Sequence, residues 1–432
     1  MQRVAGAVMG ALIGDALALG CHWYYDLAEL RRECGPWITG YLTPRPDRYH
    51  GGLRAGDISQ TGLLLVMLME SLVHCAGYEE DDFTRRLDTE LFPQLDGTPM
   101  QGPGGYTNQS IREAWRKRVP EHRPWGECAG DADTTEGAER AVAIAALYAL
   151  QPKKMAEAVC SNIILTQHDP AIVAMSVAFN AVLAQLVSGV SLTPQIGATL
   201  MAQVRSGALP FHMVTQGHLQ PPPQGGERMQ VGQFTSPDAL LTAGYAALAA
   251  ADPDIVIEPA WKVSLVYGMP CAIYHQLPAA YYLASRFRED YESAVLHAIN
   301  GGGQNMSRAM LTGALVGAQV GLEGIPRRFI TGLRDAQRYL ALAAELEQWA
   351  VRQETLYPGW GRSWQGRLGQ SLGAYVNEMN PVCFNPALAT PCGKTPRPSA
   401  SPPAPARRSP PQSRNASAAK VLGARSWRPL RE

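Results

Sequence analysis

The amino-acid sequence predicts an all-α protein: a compact multi-helix domain over residues 1–385 and a disordered tail over residues 386–432. Three observations support this prediction. Apolar residues recur at three- and four-residue spacing along most of the chain, alanine-rich runs favour helix over strand, and alternating β-branched segments are almost absent. With 46% hydrophobic and 18% charged residues, the 432-residue chain contains enough apolar material for a large core.

The helical pattern predicts about ten helices joined by polar loops. The ten segments are 62–73, 135–150, 154–166, 170–188, 192–201, 237–250, 264–282, 291–299, 307–320 and 334–356. The longest predicted loop, residues 211–235, contains the run PPPQGG, which is typical of a lid, a rim or a disordered insertion.

The predicted tail differs in composition from the rest of the chain. Ten of its residues are proline and nine are Lys or Arg, against one acidic residue, so the preceding domain has an excess of acidic groups. Such a composition predicts disorder. Because the whole chain has no net charge, binding to nucleic acid or to a membrane surface is not expected.

The cysteines and the N-terminal segment indicate the cellular compartment in which the protein is expected. Eight cysteines occur without any C-x-x-C spacing, which predicts free thiols in a reducing environment. The apolar stretch after Met1 has the outline of a signal peptide, but Asp15 interrupts it. No run of about 18 uninterrupted apolar residues is present, so no membrane span is expected. We therefore predict a cytoplasmic protein.

Two segments contain glycine at every fourth position, which places each set on one helix face. The two sets are Gly6, Gly10 and Gly14, and Gly313, Gly317 and Gly321. Glycine costs about 1 kcal/mol in a helix interior relative to alanine. Such faces allow close approach of two helices, so we expect each to be a close-packing surface.

The glycine run Gly301, Gly302 and Gly303 precedes the second glycine-stepped helix. A glycine run that opens a helix presents backbone N–H groups, which suit an anion such as a diphosphate. The first glycine-stepped helix runs into Asp15, a carboxylate directly after Gly14.

Two acidic segments are candidates for a metal site. Asp131 and Asp133 lie in the run DADT before a predicted helix, and Asp57 and Thr61 lie in DISQT before another. Carboxylate and hydroxyl oxygens are ligands that Mg²⁺ prefers. The alternative for both segments is helix capping, with acidic groups favourably placed near the helix N-terminus.

His22 lies in the run HWYYD, among aromatic residues and a carboxylate. Two interpretations are open for it: a residue that lines a pocket, or a hydrogen-bonded histidine in the core.

Four motifs in this order resemble the ADP-ribosylglycohydrolase superfamily, specifically its J1-crystallin-like branch. They are GALIGDA at 10–16, HWYYD at 22–26, LTQHDP at 165–170, and GGGQN at 301–305 followed by Arg308. The resemblance implies an all-α fold whose central cleft binds ADP-ribose. Active members hold two Mg²⁺ ions there with carboxylates and hydrolyse the glycosidic bond at the anomeric carbon of the ribose. The implied partner is an ADP-ribose-containing small molecule or an ADP-ribosylated protein.

The chain departs from the metal-binding motifs of that superfamily. The early motif Thr-Asp-Asp-Thr corresponds here to residues 58–61, and the late motif Gly-Gly-Asp-Thr-Asp-Thr to residues 301–306. Four aspartates are thereby replaced, which removes most of the charge that would attract two divalent ions. Asp57 is adjacent to the early motif, and Asp131 and Asp133 lie between the two motifs.

The resemblance implies a Mg²⁺-assisted hydrolase that cleaves the N- or O-glycosidic bond of an ADP-ribosyl group. The alternative is a catalytically inactive crystallin-like structural or ADP-ribose-binding protein. The expected residues are Asp15 and Asp57 for catalysis, Gly301, Gly302, Gly303, Asn305 and His22 for binding ADP-ribose, and Asp57, Thr61, Asp131 and Asp133 for Mg²⁺.

Overall fold

A computed structural model describes residues 1–210 and 238–356, and the all-α prediction is confirmed for them. These residues form seventeen α-helices and no strand. The helices are α1 Arg3–Leu19, α2 Leu27–Cys34, α3 Gln60–Cys75, α4 Glu80–Arg86, α5 Gln109–Arg118, α6 Glu136–Arg140, α7 Val142–Leu147, α8 Pro152–Ile164, α9 Pro170–Val187, α10 Ile196–Arg205, α11 Asp238–Ala251, α12 Val263–Tyr267, α13 Ile273–Arg286, α14 Tyr291–Asn300, α15 Asn305–Val320, α16 Arg327–Gly332 and α17 Ala336–Leu356. The predicted loop at 211–235 and the predicted tail lie outside the described residues.

The number of helices exceeds the predicted ten because α1 is the first glycine-stepped segment, which was predicted apart from the ten, and because several other helices are short and polar. Helix α4, for example, buries only Phe83 and Thr84, so it shows no apolar period. Two predicted helices are each divided. Residues 135–150 form α6 and α7, and residues 264–282 form α12 and α13, separated by a turn with Gly268 at φ +122° and Pro270.

Helices α1 and α15 form the centre of the fold and run antiparallel. Gly6 faces Gly317, Gly10 faces Gly313, and a Cβ atom added to any of the four would overlap the opposing backbone carbonyl. The close packing predicted for the glycine faces is confirmed at these positions. Gly321 differs, because it ends α15 at φ +71° instead of lying inside the helix.

The third contact of this helix pair is between Gly14 and Ala309, at the C-terminal end of α1 and the N-terminal end of α15. Nearly all of α1 is buried, as is α15 from Asn305 to Ala318. Helices α3, α7, α9, α13, α14 and α17 pack around the pair. The end of the pair at Gly14 and Ala309 is therefore enclosed by protein.

Helix α9 is long and apolar enough to be a candidate membrane span, with a mean hydropathy of 1.8. In the fold 83% of it is buried by other parts of the chain, as in a core helix. The six cysteines in the described residues are free thiols, as predicted.

Candidate active site

Asp15, predicted to be catalytic, lies near the C-terminal end of α1 and is completely buried. Its carboxylate accepts hydrogen bonds from the backbone N–H of Ser59 at 2.7 Å and from the Ser59 hydroxyl at 2.6 Å. The Ser59 oxygen also accepts the N–H of Thr61 at 3.0 Å, which caps α3. Burial raises the pKa of Asp15 to about 6, against the effect of the Ser59 hydrogen bonds.

Asp57, predicted to be catalytic and to bind Mg²⁺, forms an ion pair and a hydrogen bond with other residues of the protein. Its carboxylate pairs with the Arg334 guanidinium at 2.9 Å and accepts the N–H of Arg54 at 2.6 Å. Thr61 is buried, and its hydroxyl oxygen accepts a hydrogen bond from the Asn108 amide at 2.9 Å. Both residues therefore have protein partners for their oxygen atoms.

Asp131 and Asp133 also have partners outside the buried site. The side chain of Asp131 is 90% exposed and lies 3.0 Å from His168, while Asp133 accepts the Tyr274 hydroxyl at 2.9 Å. For this segment the capping alternative expects Asp133 or Thr134 as the N-cap, and that detail is wrong, because the N-cap of α6 is Thr135 and no side chain caps the helix. The acidic residues of the first turn of α6 are Glu136 and Glu139.

The two glutamates of α6 are site residues that the sequence analysis missed. Glu139 is 1% exposed, and it accepts the Thr135 hydroxyl at 2.5 Å and a hydrogen bond from Ser307. Burial raises its pKa to about 7, and the nearby charges of Glu136 and Asp15 act in the same direction. Glu136 accepts the backbone N–H groups that begin α5. The sequence signal that could have identified them is a pair of glutamates three residues apart at the start of the alanine-rich segment 135–150.

The glycine run lies in tight contact with neighbouring backbone. Gly302 and Gly303 have φ angles of +63° and +60°, and a Cβ atom on Gly302 would lie 2.6 Å from the Tyr24 carbonyl oxygen. The N–H of Gly303 donates to Tyr24 at 2.7 Å, and that of Gln304 donates to Met269 at 2.9 Å. The N–H groups of Gly301 and Gly302 both donate to Ile299. These groups are therefore already used within the protein.

Asn305 begins α15 and is completely buried. Its amide nitrogen donates to the Cys21 carbonyl at 2.9 Å, whereas its oxygen Oδ1 has no hydrogen-bond partner among the described residues. Asn305 thus ties the start of α15 to the segment after α1.

A chain of hydrogen bonds connects Glu139, through Ser307 and Gln304, to two histidines. The Gln304 amide donates to the Ser307 hydroxyl at 2.8 Å, and its oxygen accepts from the indole of Trp23 and from His22 Nε2 at 2.8 Å. His22 Nδ1 lies 2.7 Å from His50 Nε2, and His50 Nδ1 lies 2.6 Å from the Gly104 oxygen. We call His22 and His50 the histidine pair.

Two buried hydrogen-bonded groups, Asp15 with Ser59 and Glu139 with Thr135, Ser307 and Gln304, lie close enough for their carboxylates to interact, and we call them together the polar centre. It comprises Asp15, Ser59, Thr135, Glu139, Gln304 and Ser307. His22 is 4% exposed, as expected of a hydrogen-bonded core histidine. Its ring also stacks on Trp23, with centroids 4.2 Å apart.

The aromatic wall beside the polar centre consists of Trp23, Tyr49 and Tyr106, whose rings contact one another, and of Tyr25, which lies near the two tyrosines. Trp23 makes edge contacts with Tyr49 and Tyr106 at centroid distances of 4.6 and 4.5 Å. Tyr25 is 51% exposed and Tyr49 is 42% exposed, so the wall reaches the surface. Burial raises the pKa of Tyr106, and the nearby Glu136 carboxylate acts in the same direction.

Comparison with known proteins identifies the family. The family model described as ADP-ribosylglycohydrolase matches residues 1–355. The chain belongs to the ADP-ribosylglycohydrolase family. Among solved structures it is similar to one titled "ADP-ribosylglycohydrolase-related protein complex", with a TM-score of 0.51 and 17% sequence identity over 81% of this chain and 98% of that chain. At that identity the likeness shows the fold alone. No curated protein matches the chain.

The resemblance to an ADP-ribosylglycohydrolase is thus confirmed at the level of the family, and the J1-crystallin-like branch stays a prediction. Among the described residues, Asp57, Asp131 and Asp133 do not form a group whose three carboxylates could share one ion, and the predicted Mg²⁺ site stays a prediction. Among the described residues, one group of three acidic, histidine or cysteine side chains could share an ion, and it is His74, Cys75 and Asp82. Asp82 there is bound by two arginines. The donor set present therefore does not fit the predicted metal site.

Proposed function

We propose that this member of the ADP-ribosylglycohydrolase family hydrolyses the N- or O-glycosidic bond of an ADP-ribosyl group, with Glu139 and Asp15 as its acid–base carboxylates. The observation that carries the proposal is the pair of fully buried carboxylates with pKa values of about 7 and about 6, close enough to interact. Acid–base catalysis is most effective when the pKa of the group lies near the working pH. Such shifted carboxylates are typical of catalytic sites.

The two carboxylates have different environments, which supports different roles. Asp15 receives two hydrogen bonds from Ser59 and titrates lower, so it is the carboxylate that accepts a proton from the attacking water. Glu139 titrates near neutral pH and is partly protonated there, so it supplies a proton to the leaving group. Asp57 is not needed for this scheme, because Arg334 neutralises its carboxylate.

The aromatic wall supports binding of the adenine base. Tyr25 and Tyr49 present partly exposed rings, and a flat base stacks favourably on such faces. We therefore propose an ADP-ribose-containing small molecule or an ADP-ribosylated protein as the partner. The closely packed glycine run shapes the neighbouring wall, since its N–H groups are already hydrogen-bonded.

The test is release of ADP-ribose from peptides ADP-ribosylated on arginine or serine, measured with Mg²⁺ and with a chelator. We expect Glu139→Gln to lower kcat about 100-fold or more, because the amide cannot donate a catalytic proton. The matched control is Glu157→Gln, an exposed glutamate on α8, which should leave the rate unchanged.

Full activity of a correctly folded Glu139→Gln protein would contradict the assignment of the acid. If the wild type binds ADP-ribose in a calorimeter but cleaves none of the substrates, the binding-protein alternative replaces the hydrolase. Because the proposed chemistry uses protein groups only, the Mg²⁺ dependence predicted from the family resemblance is a separate variable of this experiment.

A further inference from the structure

We propose that His74, Cys75 and Asp82 bind one Zn²⁺ ion where the end of α3 meets α4. One ligating atom of each residue lies within 4.8 Å of the other two, and these atoms are a ring nitrogen, the thiol sulfur and a carboxylate oxygen. Helix α3 has 16 residues and begins directly after Ser59, so its C-terminal end is about 24 Å from the polar centre. The zinc site is therefore separate from the polar centre, and it does not depend on the reaction proposed above.

The local sequence brings the three residues together. His74 and Cys75 are the last two residues of α3, and Ala76 follows at φ +55° in the left-handed region. A left-handed residue of this kind ends a helix and turns the chain. Helix α4 then packs against α3, with Asp82 in its first turn. The two helices therefore supply ligands to the same point.

The separations of the three atoms suit a tetrahedral ion. Zinc bonds of about 2.3 Å to sulfur and about 2.0 Å to nitrogen or oxygen place neighbouring ligand atoms about 3.5 Å apart. His74 is exposed, so its ring can rotate toward the other two ligands. The Cys75 thiol already donates a hydrogen bond to Asp82. On binding, the ion takes the position of the thiol proton between sulfur and carboxylate, and that proton goes to solvent.

The types of donor atom favour zinc over magnesium. Thiolate and imidazole groups are good ligands for Zn²⁺, whereas Mg²⁺ prefers oxygen atoms in octahedral geometry. With three protein ligands, the fourth position of a tetrahedral zinc ion is open to water. The zinc site thus differs both in its ion and in its position from the Mg²⁺ site that the family resemblance implies.

Two arginines contact Asp82 without preventing it from binding an ion. Arg85 contacts Oδ1, and Arg86 donates to Oδ2 at 2.8 Å. Each oxygen of an ionised carboxylate can accept about two hydrogen bonds, so each keeps a further acceptor position. Of the charged groups that act on Cys75, Glu79 and Asp82 are negative and Arg86 is positive. The surroundings of the sulfur therefore attract a divalent cation.

The test is titration of the full, reduced and metal-free chain with Co²⁺ and then with Zn²⁺. A thiolate bound to Co²⁺ gives a charge-transfer absorption band in the near ultraviolet. We expect this band to saturate at one Co²⁺ per chain, and we expect Zn²⁺, but not excess Mg²⁺, to abolish it. A Co²⁺ complex without the thiolate band, or no binding of either ion, would overturn the site.

Cysteine variants identify which thiol binds the ion. Cys75→Ala should abolish the band, whereas Cys160→Ala, the matched change of a half-buried cysteine on α8, should retain it. The double variant Cys383→Ala with Cys392→Ala removes the two cysteines beyond the described residues, and it should also retain the band. A band that persists in Cys75→Ala, or is lost in either control, would assign the ion to another cysteine and refute the proposal.

The histidine is tested by a substitution at the surface. His74 is exposed, so His74→Ala should fold as the wild type does. Because it removes a direct ligand, we expect it to weaken Zn²⁺ binding more than about 100-fold, as measured by competition with a chromophoric chelator. An unchanged affinity would exclude His74 from the site and overturn the three-ligand arrangement.

Discussion

The α1–α15 helix pair and the polar centre at its end contact one another but are stabilised in opposite ways. The helix pair has no charged group in its glycine contacts, and its two backbones meet without intervening side chains. The polar centre buries two carboxylates at a cost in solvation. A rigid, tightly packed pair of helices thus holds in place a set of buried polar groups that would otherwise be unfavourable together.

The largest expected effect is on the helix pair. A Cβ atom in Gly10→Ala would overlap the Gly313 carbonyl and lie 3.2 Å from the Tyr291 ring. Alanine gains about 1 kcal/mol in helix propensity, but overpacking against backbone on a fully buried face should cost more than about 3 kcal/mol. The free energy of urea unfolding measures this.

The matched control for that substitution is Gly126→Ala. No heavy atom lies within 4 Å of a Cβ atom added there, so the change should stay within about 0.5 kcal/mol. Equal stability of the two variants would show that α1 and α15 can move apart at little cost. The helix pair would then not be the rigid support of the polar centre.

The helix pair was predictable because its signal is local and periodic. Gly6, Gly10 and Gly14 occupy one face by spacing alone, whatever lies opposite. The partner at the third contact, Ala309, was not predictable, since register between two helices depends on packing over their whole length. The division of α12 from α13 was missed because Gly268 and Pro270 lie within an otherwise continuous apolar pattern.

Only part of the polar centre was predictable, because it is assembled from segments far apart in the sequence. Asp15 and His22 were singled out by their motifs and do lie at or beside it. Glu139 and His50 have no distinctive neighbours, and their environments arise only when α6 and the segment near Gly104 reach α15. Asp131 and Asp133 had a motif that suggested metal binding, but their side chains have surface partners.

The second prediction concerns the charge of the polar centre. The pKa of Glu139 is about 7 in the folded protein against 4.5 ordinarily, so the folded state binds a proton that the unfolded state releases between these pH values. Stability from this group is fully present below pH 4.5 and is lost as the pH rises through 7. The loss amounts to roughly 3 kcal/mol.

Because glutamine does not ionise, Glu139→Gln should gain stability relative to the wild type as the pH rises from 5 to 8. The measurement is the difference in urea unfolding free energy between the two proteins at each pH. Burial lowers the pKa values of His22 and His50, so these residues have the opposite pH dependence, but they are common to both proteins and their contribution cancels in the difference. Glu157→Gln provides the flat reference, and an equally flat difference for Glu139→Gln would mean that Glu139 has no raised pKa.

The smallest expected effect is at Asp131, a predicted metal ligand outside the polar centre. Its side chain is 90% exposed, and its pairing with the half-exposed His168 is of the kind that contributes little to stability. Asp131→Asn should change the unfolding free energy by less than about 0.5 kcal/mol and leave ADP-ribose release, with or without Mg²⁺, at the wild-type rate. Asp15→Asn is the matched change inside the polar centre, and it should lower that rate because its amide cannot accept the proton of the attacking water. If Asp131→Asn instead abolishes a Mg²⁺-dependent part of the activity, Asp131 binds the metal during turnover. The active site would then include the surface loop before α6 as well as the polar centre.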